Sequence, residues 1–183
     1  MLHEGNGISP QLLRVCQRLA AEGYGAIAPD LFFRAGGTEA GDFATLMGSL
    51  DRRQTRTDIV GASDHLRREG ATSVGVIGFC MGGLLAYRTA VAGDGFGAAV
   101  GFYGSGISAE PGDPACPTLL FFGGEDQYIS PADIEVVGLR HPETVVYPEA
   151  GHGFMRDGSM SYDDGAARDA WSRTLRFFTE QLL

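Results

Sequence analysis

Cys80 stands in the run Gly78-Phe79-Cys80-Met81-Gly82-Gly83, between an apolar stretch that reads as a buried strand and one that reads as a helix. Glycines two positions before and two after a nucleophile allow a strand-to-helix turn so sharp that side chains there would collide, and the turn pushes the nucleophile into open space. The helix N-terminus behind the sulfur favours thiolate. A free cysteine is more often a buried structural thiol, and it is this setting that makes Cys80 a candidate nucleophile. A thiol nucleophile needs a base, and the base needs a group that orients it. Asp126 follows an apolar run through Gly123-Gly124-Glu125, and His152 lies in Ala150-Gly151-His152-Gly153-Phe154. Taken singly, such residues are ordinary turn formers. Their order along the chain, nucleophile then acid then histidine, is that of the α/β-hydrolase fold.

The elements that would position these residues can be read from periodicity. Ser9-Pro10 is a helix start, with Leu12, Leu13, Cys16, Leu19 and Ala20 at helical spacing up to Gly23. Helices are expected within Asp51 to Glu69, from Met81 to Val91, near Ala132 to Leu139, and from Asp164 to Leu182. Strands are expected at Tyr24 to Ala28, Val74 to Phe79, Ala98 to Tyr103, Thr118 to Phe122 and Thr144 to Tyr147. Short apolar strands alternating with helices predict an α/β fold, a mostly parallel sheet with helices on both faces in a three-layer sandwich. Functional groups gather past the carboxyl ends of such strands, which here means Glu4, Asp30, Cys80, Tyr103, Asp126 and His152.

Length and composition exclude several classes. The 183 residues suit one domain, and no apolar run reaches the roughly 18 residues of a membrane span. A net charge of -9 would repel a phosphate backbone, so neither nucleic acid nor membrane is an expected partner. All 14 basic residues are arginine, which excludes a Walker-A phosphate loop, a Schiff-base lysine and a Ser-Lys dyad. Cys16, Cys80 and Cys116 cannot all pair within one chain, which fits a reducing, cytoplasmic setting. His3-Glu4 continues as Gly5-Asn6-Gly7 rather than as a zinc-binding His-Glu-x-x-His, and Gly101 to Gly106 lacks the placement of a dinucleotide loop. No metal and no cofactor are expected. A monomer or a homodimer is compatible with the sequence.

The chain resembles the dienelactone hydrolase family of α/β-hydrolases along nearly its whole length. The matching stretches are His3-Glu4 with Gly7, Leu19-Ala20-Ala21-Glu22-Gly23-Tyr24, Ala28-Pro29-Asp30-Leu31-Phe32, the Cys80 elbow, Phe102-Tyr103-Gly104, Gly123-Gly124-Glu125-Asp126 and Gly151-His152-Gly153-Phe154. The resemblance implies a Cys80-His152-Asp126 triad that opens a small ester or lactone through an acyl-cysteine intermediate, with Arg156 holding the carboxylate of an anionic substrate. It also implies that Glu4 sits against the thiol and modulates it, and that backbone amides of Gly5 and Met81 form the oxyanion hole. Arg156, Arg34 and Tyr103 are the substrate-binding candidates. Alternatives are a general carboxylesterase or thioesterase on the same triad, or a catalytically silent homologue.

Two departures from the family carry expectations. Only Met1, Leu2 and His3 precede Glu4, whereas a typical strand has about 5 to 6 residues and the resemblance implies further N-terminal strands, so a truncated sheet edge is expected. Gly5-Asn6 replaces bulkier residues, which predicts a looser pocket wall. The segment from Gly36 to Ser49 is compressed, and its part in any cap is left open.

Overall fold

Four strands, β1 (Gly75–Phe79), β2 (Ala98–Phe102), β3 (Thr118–Gly123) and β4 (Val145–Tyr147), lie side by side in sequence order, all parallel, in a computed structural model that describes all 183 residues. The helices are α1 (Pro10–Ala21), α2 (Phe43–Gly48), α3 (Arg52–Arg68), α4 (Met81–Ala92), α5 (Pro131–Arg140) and α6 (Asp164–Leu182). Side chains of successive strand residues point to opposite faces. Ile77, Val100 and Phe121 therefore join Val15 of α1 and Trp171 of α6, while Val76 and Ala99 join Ile59 of α3 and Leu85 of α4. This is the expected three-layer arrangement.

Local chemistry fixes where the helices begin. Ser9 accepts a hydrogen bond from the Leu12 N–H ahead of Pro10, Asp51 from the Gln54 N–H, Ser130 from the Asp133 N–H, and Asp163 from the Ala166 N–H. Each satisfies one of the N–H groups that a first helical turn leaves without a partner.

Parallel register aligns the carboxyl ends of the strands. Phe79 pairs with Phe102, and Phe102 with Phe121. Their rings stack in a row, with centroids 4.8 and 4.7 Å apart. All three are fully buried, and rings of this kind each bury roughly 150–250 Å². Because Phe79 and Phe102 are level, the residues that follow them, Cys80 and Tyr103, emerge together at one end of the sheet.

One expected strand is not formed. Tyr24 to Ala28 has no ladder partner. The segment Met1–Glu4 runs between it and β1, and its ladder contact with β1 is a single parallel bridge from Leu2 to Gly78, while toward the expected strand the Met1 ammonium donates to the Ile27 carbonyl, 2.8 Å. A strand needs a row of partners, and so few backbone groups do not supply one. A groove of about 270 Å³ lies there, lined by Tyr24, Ile27, Leu66, Val76 and Phe178. Cys80 does not line it.

Candidate active site

The turn between β1 and α4 places Cys80. Its backbone has φ 53° and ψ -115°, a strained conformation for a residue with a Cβ. Close backbone approach enforces it: a Cβ on Gly78 would overlap the carbonyl oxygen of Gly82, and one on Gly82 would overlap that of Leu2. The second overlap involves the N-terminal segment rather than Gly78, so Gly82 serves the docking of Leu2 as well as the turn.

Asp126 and His152 leave the loops after β3 and β4 and meet beside Cys80. Asp126 Oδ1 accepts from the N–H groups of Tyr128, 2.8 Å, and Ile129, 3.1 Å. Its Oδ2 takes the His152 Nδ1–H at 2.8 Å. Three donors thus fix the carboxylate, and with Nδ1 engaged His152 keeps its Nε2 free at the cavity wall, which Cys80 also lines. Burial alone would lower the His152 pKa, but the hydrogen bond to Asp126 and the neighbouring Cys80 outweigh it and raise the value to about 9. The rings of Tyr103 and Tyr128 each lie 4.9 Å from the imidazole, centroid to centroid.

Glu4 is buried, and its two oxygens are both taken. Tyr103 donates its hydroxyl to Oε1 at 3.1 Å, and Arg156 donates Nε to Oε2 at 2.8 Å. No hydrogen bond joins Glu4 to Cys80. Burial and then the neighbouring Glu4 charge push the Tyr103 phenol well above its ordinary pKa, so it stays protonated and donates. Tyr103 has a positive φ of 38°, the second such strained non-glycine residue in the chain, and it directs its ring into this cluster. Arg156 therefore holds a carboxylate of the protein itself. Arg34 lies elsewhere: it is paired with Asp58 at 2.8 Å, stacked on Phe33, and absent from the cavity wall.

A cavity of about 840 Å³ opens in front of Cys80, and Gly5, Met81, His152 and Arg156 line it. The N–H groups of Gly5 and Met81 donate to no group of the chain. For Met81 this follows from its place as the first residue of α4.

The sequence did not point to the cap over this cavity. Thr38, Phe43, Leu46 and Met47 line it, and they come from the compressed segment and from α2, which Asp42 caps through the Thr45 N–H. Phe43 lies against Gly5, where a Cβ would overlap its ring. The space that Gly5 leaves in the pocket wall is thus filled by Phe43, and the looser wall is not seen. The capping Asp42 is a readable helix signal, but α2 has only six residues and offers little periodicity. No group of three or more His, Cys, Asp or Glu side chains is placed to hold a metal ion.

Comparison with known proteins agrees with this architecture. Residues 1–182 match the dienelactone hydrolase family. A Yersinia pestis protein assigned as a carboxymethylenebutenolidase is 34% identical, the match covering 95% of this chain and 74% of that protein. One from Salmonella typhimurium, assigned likewise, is 32% identical over 95% of this chain and 73% of its own length. The crystal structure of a Klebsiella pneumoniae protein assigned as a dienelactone hydrolase superposes with a TM-score of 0.86 at 30% identity, covering 98% of this chain and 85% of that one. The fold is that of the α/β-hydrolases, and the chain belongs to the dienelactone hydrolase family.

Proposed function

We propose that the chain hydrolyses a small ester or lactone, as a carboxymethylenebutenolidase does, with Cys80 as nucleophile. The observation that carries this reading is the setting of His152, hydrogen-bonded through Nδ1 to Asp126 and sharing the cavity wall with Cys80 at the strained turn. His152 takes the proton of the Cys80 thiol. The sulfur attacks the carbonyl carbon and a C–S bond forms. The carbonyl oxygen gains the electron pair and is held by the free N–H groups of Gly5 and Met81. As the intermediate collapses, the C–O bond to the leaving group breaks and His152 gives that oxygen its proton. Water then attacks the acyl-cysteine while His152 takes a proton from it. The C–S bond breaks, His152 returns its proton to the sulfur, and the carboxylic acid leaves and gives up its own proton to water.

The pairing of Glu4 with Arg156 supports a second reading, a general carboxylesterase, because a neutral ester does not have to displace Glu4. The three free cysteines support a reducing, cytoplasmic setting.

The test is turnover of 4-nitrophenyl butyrate together with mass spectrometry of the quenched enzyme. We expect a butyryl adduct on the Cys80 peptide, and loss of turnover in Cys80→Ala and His152→Ala. Full activity in either variant overturns the assignment.

A further inference from the structure

The cavity has a second charged end that the hydrolytic chemistry does not use. Cys80, Leu84 and Arg88 follow one another at intervals of four along the start of α4, and all three line the cavity. Residues four apart share a helix face, so the nucleophile, an apolar side chain and a guanidinium form one ridge. Two turns of helix span about 11 Å, and side chains lean toward the helix N-terminus, which brings the Arg88 head somewhat nearer the sulfur. Arg52, the first residue of α3, lines the same end.

Behind this wall a single carboxylate serves both arginines. Arg52 Nη2 reaches Glu110 Oε2 at 2.9 Å, and Arg88 Nε reaches Oε1 at 2.7 Å. Glu110 is buried. Its own position is fixed by Arg140, whose Nη2 bonds the backbone carbonyls of Glu110, 3.1 Å, and Gly112, 3.0 Å. Glu110 cancels one of the two charges and leaves the other. At the opposite end, Glu4 and Arg156 cancel each other. The cavity of a chain with net charge -9 is therefore locally positive, and only at the end away from the thiol. Neither guanidinium has another acceptor within the chain, so Arg52 and Arg88 keep donors free. Between the two ends the wall is apolar, with Leu84, Leu46 and Phe43.

We propose that Arg52 and Arg88 form an anion subsite that receives a carboxylate at the far end of an apolar acyl arm, which makes monoesters of medium-chain dicarboxylic acids the preferred substrate class. The orientation of the arm rests on the reading of Cys80 as nucleophile. The ridge sets its length at roughly five to eight carbons. A purely structural role, in which Glu110 only ties α3 to α4, is the competing account.

Binding separates the two without requiring turnover. In a Cys80→Ala background, calorimetry would compare monomethyl suberate with methyl 8-hydroxyoctanoate, which has a similar length and no charge. We expect the acid to bind at least tenfold more tightly, and Arg88→Gln or Arg52→Gln to remove most of that preference. Glu110→Gln is the second variant, because it takes away the cancelling charge: an anion subsite predicts that the acid binds more tightly, a structural tie that it binds less tightly or that the fold fails. Arg173→Gln, which removes an exposed positive charge paired with Asp169, should leave the preference unchanged. Equal affinity for acid and neutral ligand, or a preference indifferent to both cavity arginines, overturns the subsite. The two readings fail separately. Arginine-dependent binding by a protein that hydrolyses no ester refutes the nucleophile assignment alone, and hydrolysis without that preference refutes the subsite alone.

Discussion

Glu4 Oε2 and Arg156 Nη2 lie 2.8 Å apart at the wall of the cavity, 152 residues apart in the chain, so the arginine expected to receive a substrate carboxylate already holds one. Removing the arginine strands a carboxylate that is 4% exposed, and an unpaired buried charge is costly, on the order of 3–5 kcal/mol when the pair is fully buried. The Arg156 side chain is 35% exposed, and solvent screening reduces that cost. Arg156→Gln should therefore lower Tm as well as kcat/KM, and Glu4→Gln in the same chain should restore much of the Tm. A thermal melt of the two single variants and the double variant checks this. Additive losses would show that the two groups do not interact in solution.

Reactivity should single out Cys80. Burial pushes the thiols of Cys16 and Cys116 above their ordinary pKa, whereas Cys80 faces the cavity beside a protonated imidazole. Limiting iodoacetamide at neutral pH should modify the Cys80 peptide at least tenfold faster than the others. Peptide mapping reads the outcome, and labelling led by Cys16 or Cys116 contradicts it.

Stability should depend on pH through His152. Its pKa is raised from 6.5 to about 9 in the folded chain. A raised pKa means that the folded state holds the proton more tightly. The stabilisation is thus complete below about pH 6.5 and is lost as pH rises through 9. Tm should fall by several degrees between pH 6.5 and 9.5, and the fall should be smaller in His152→Ala. Asp126→Asn weakens the bond that holds the imidazole and should flatten the profile in the same direction, with a milder loss of activity than His152→Ala.

How much of this arrangement the sequence discloses depends on how local its cause is. The elbow, the cap at Ser9, and the apolar runs of β1 to β3 are set by neighbours within a few residues, and they appear where periodicity and glycine spacing put them. Tyr24 to Ala28 has the composition of a strand but not the partners, and composition says nothing of partners. Arg52, Arg88 and Glu110 meet across separations of 58 and 22 residues, and Arg156 meets Glu4 from the other end of the chain. Each of these looks like an ordinary surface charge until the sheet brings the loops together. Arg34 shows the converse, since the family resemblance makes it a substrate-binding candidate and the fold turns it to Asp58.

Two glycines that look alike in the sequence should respond very differently to alanine. At Gly78 the added methyl would strike the backbone carbonyl of Gly82, and neither strand nor helix can give way without moving the turn that carries Cys80. At Gly5 it would strike only the ring of Phe43, a side chain that is 61% exposed and free to swing outward. Gly78→Ala should cost about 3 kcal/mol or more, in the range of severe overpacking and backbone strain, which in a chain of this size lowers Tm by roughly 6–12 °C. Gly5→Ala should cost less than about 1 kcal/mol in stability yet alter KM for bulky esters, because Phe43 would leave the cavity wall. Melting curves and ester kinetics on both variants read the contrast directly. A Gly78→Ala protein that melts like the parent would show that β1 and α4 are less closely packed than the elbow requires.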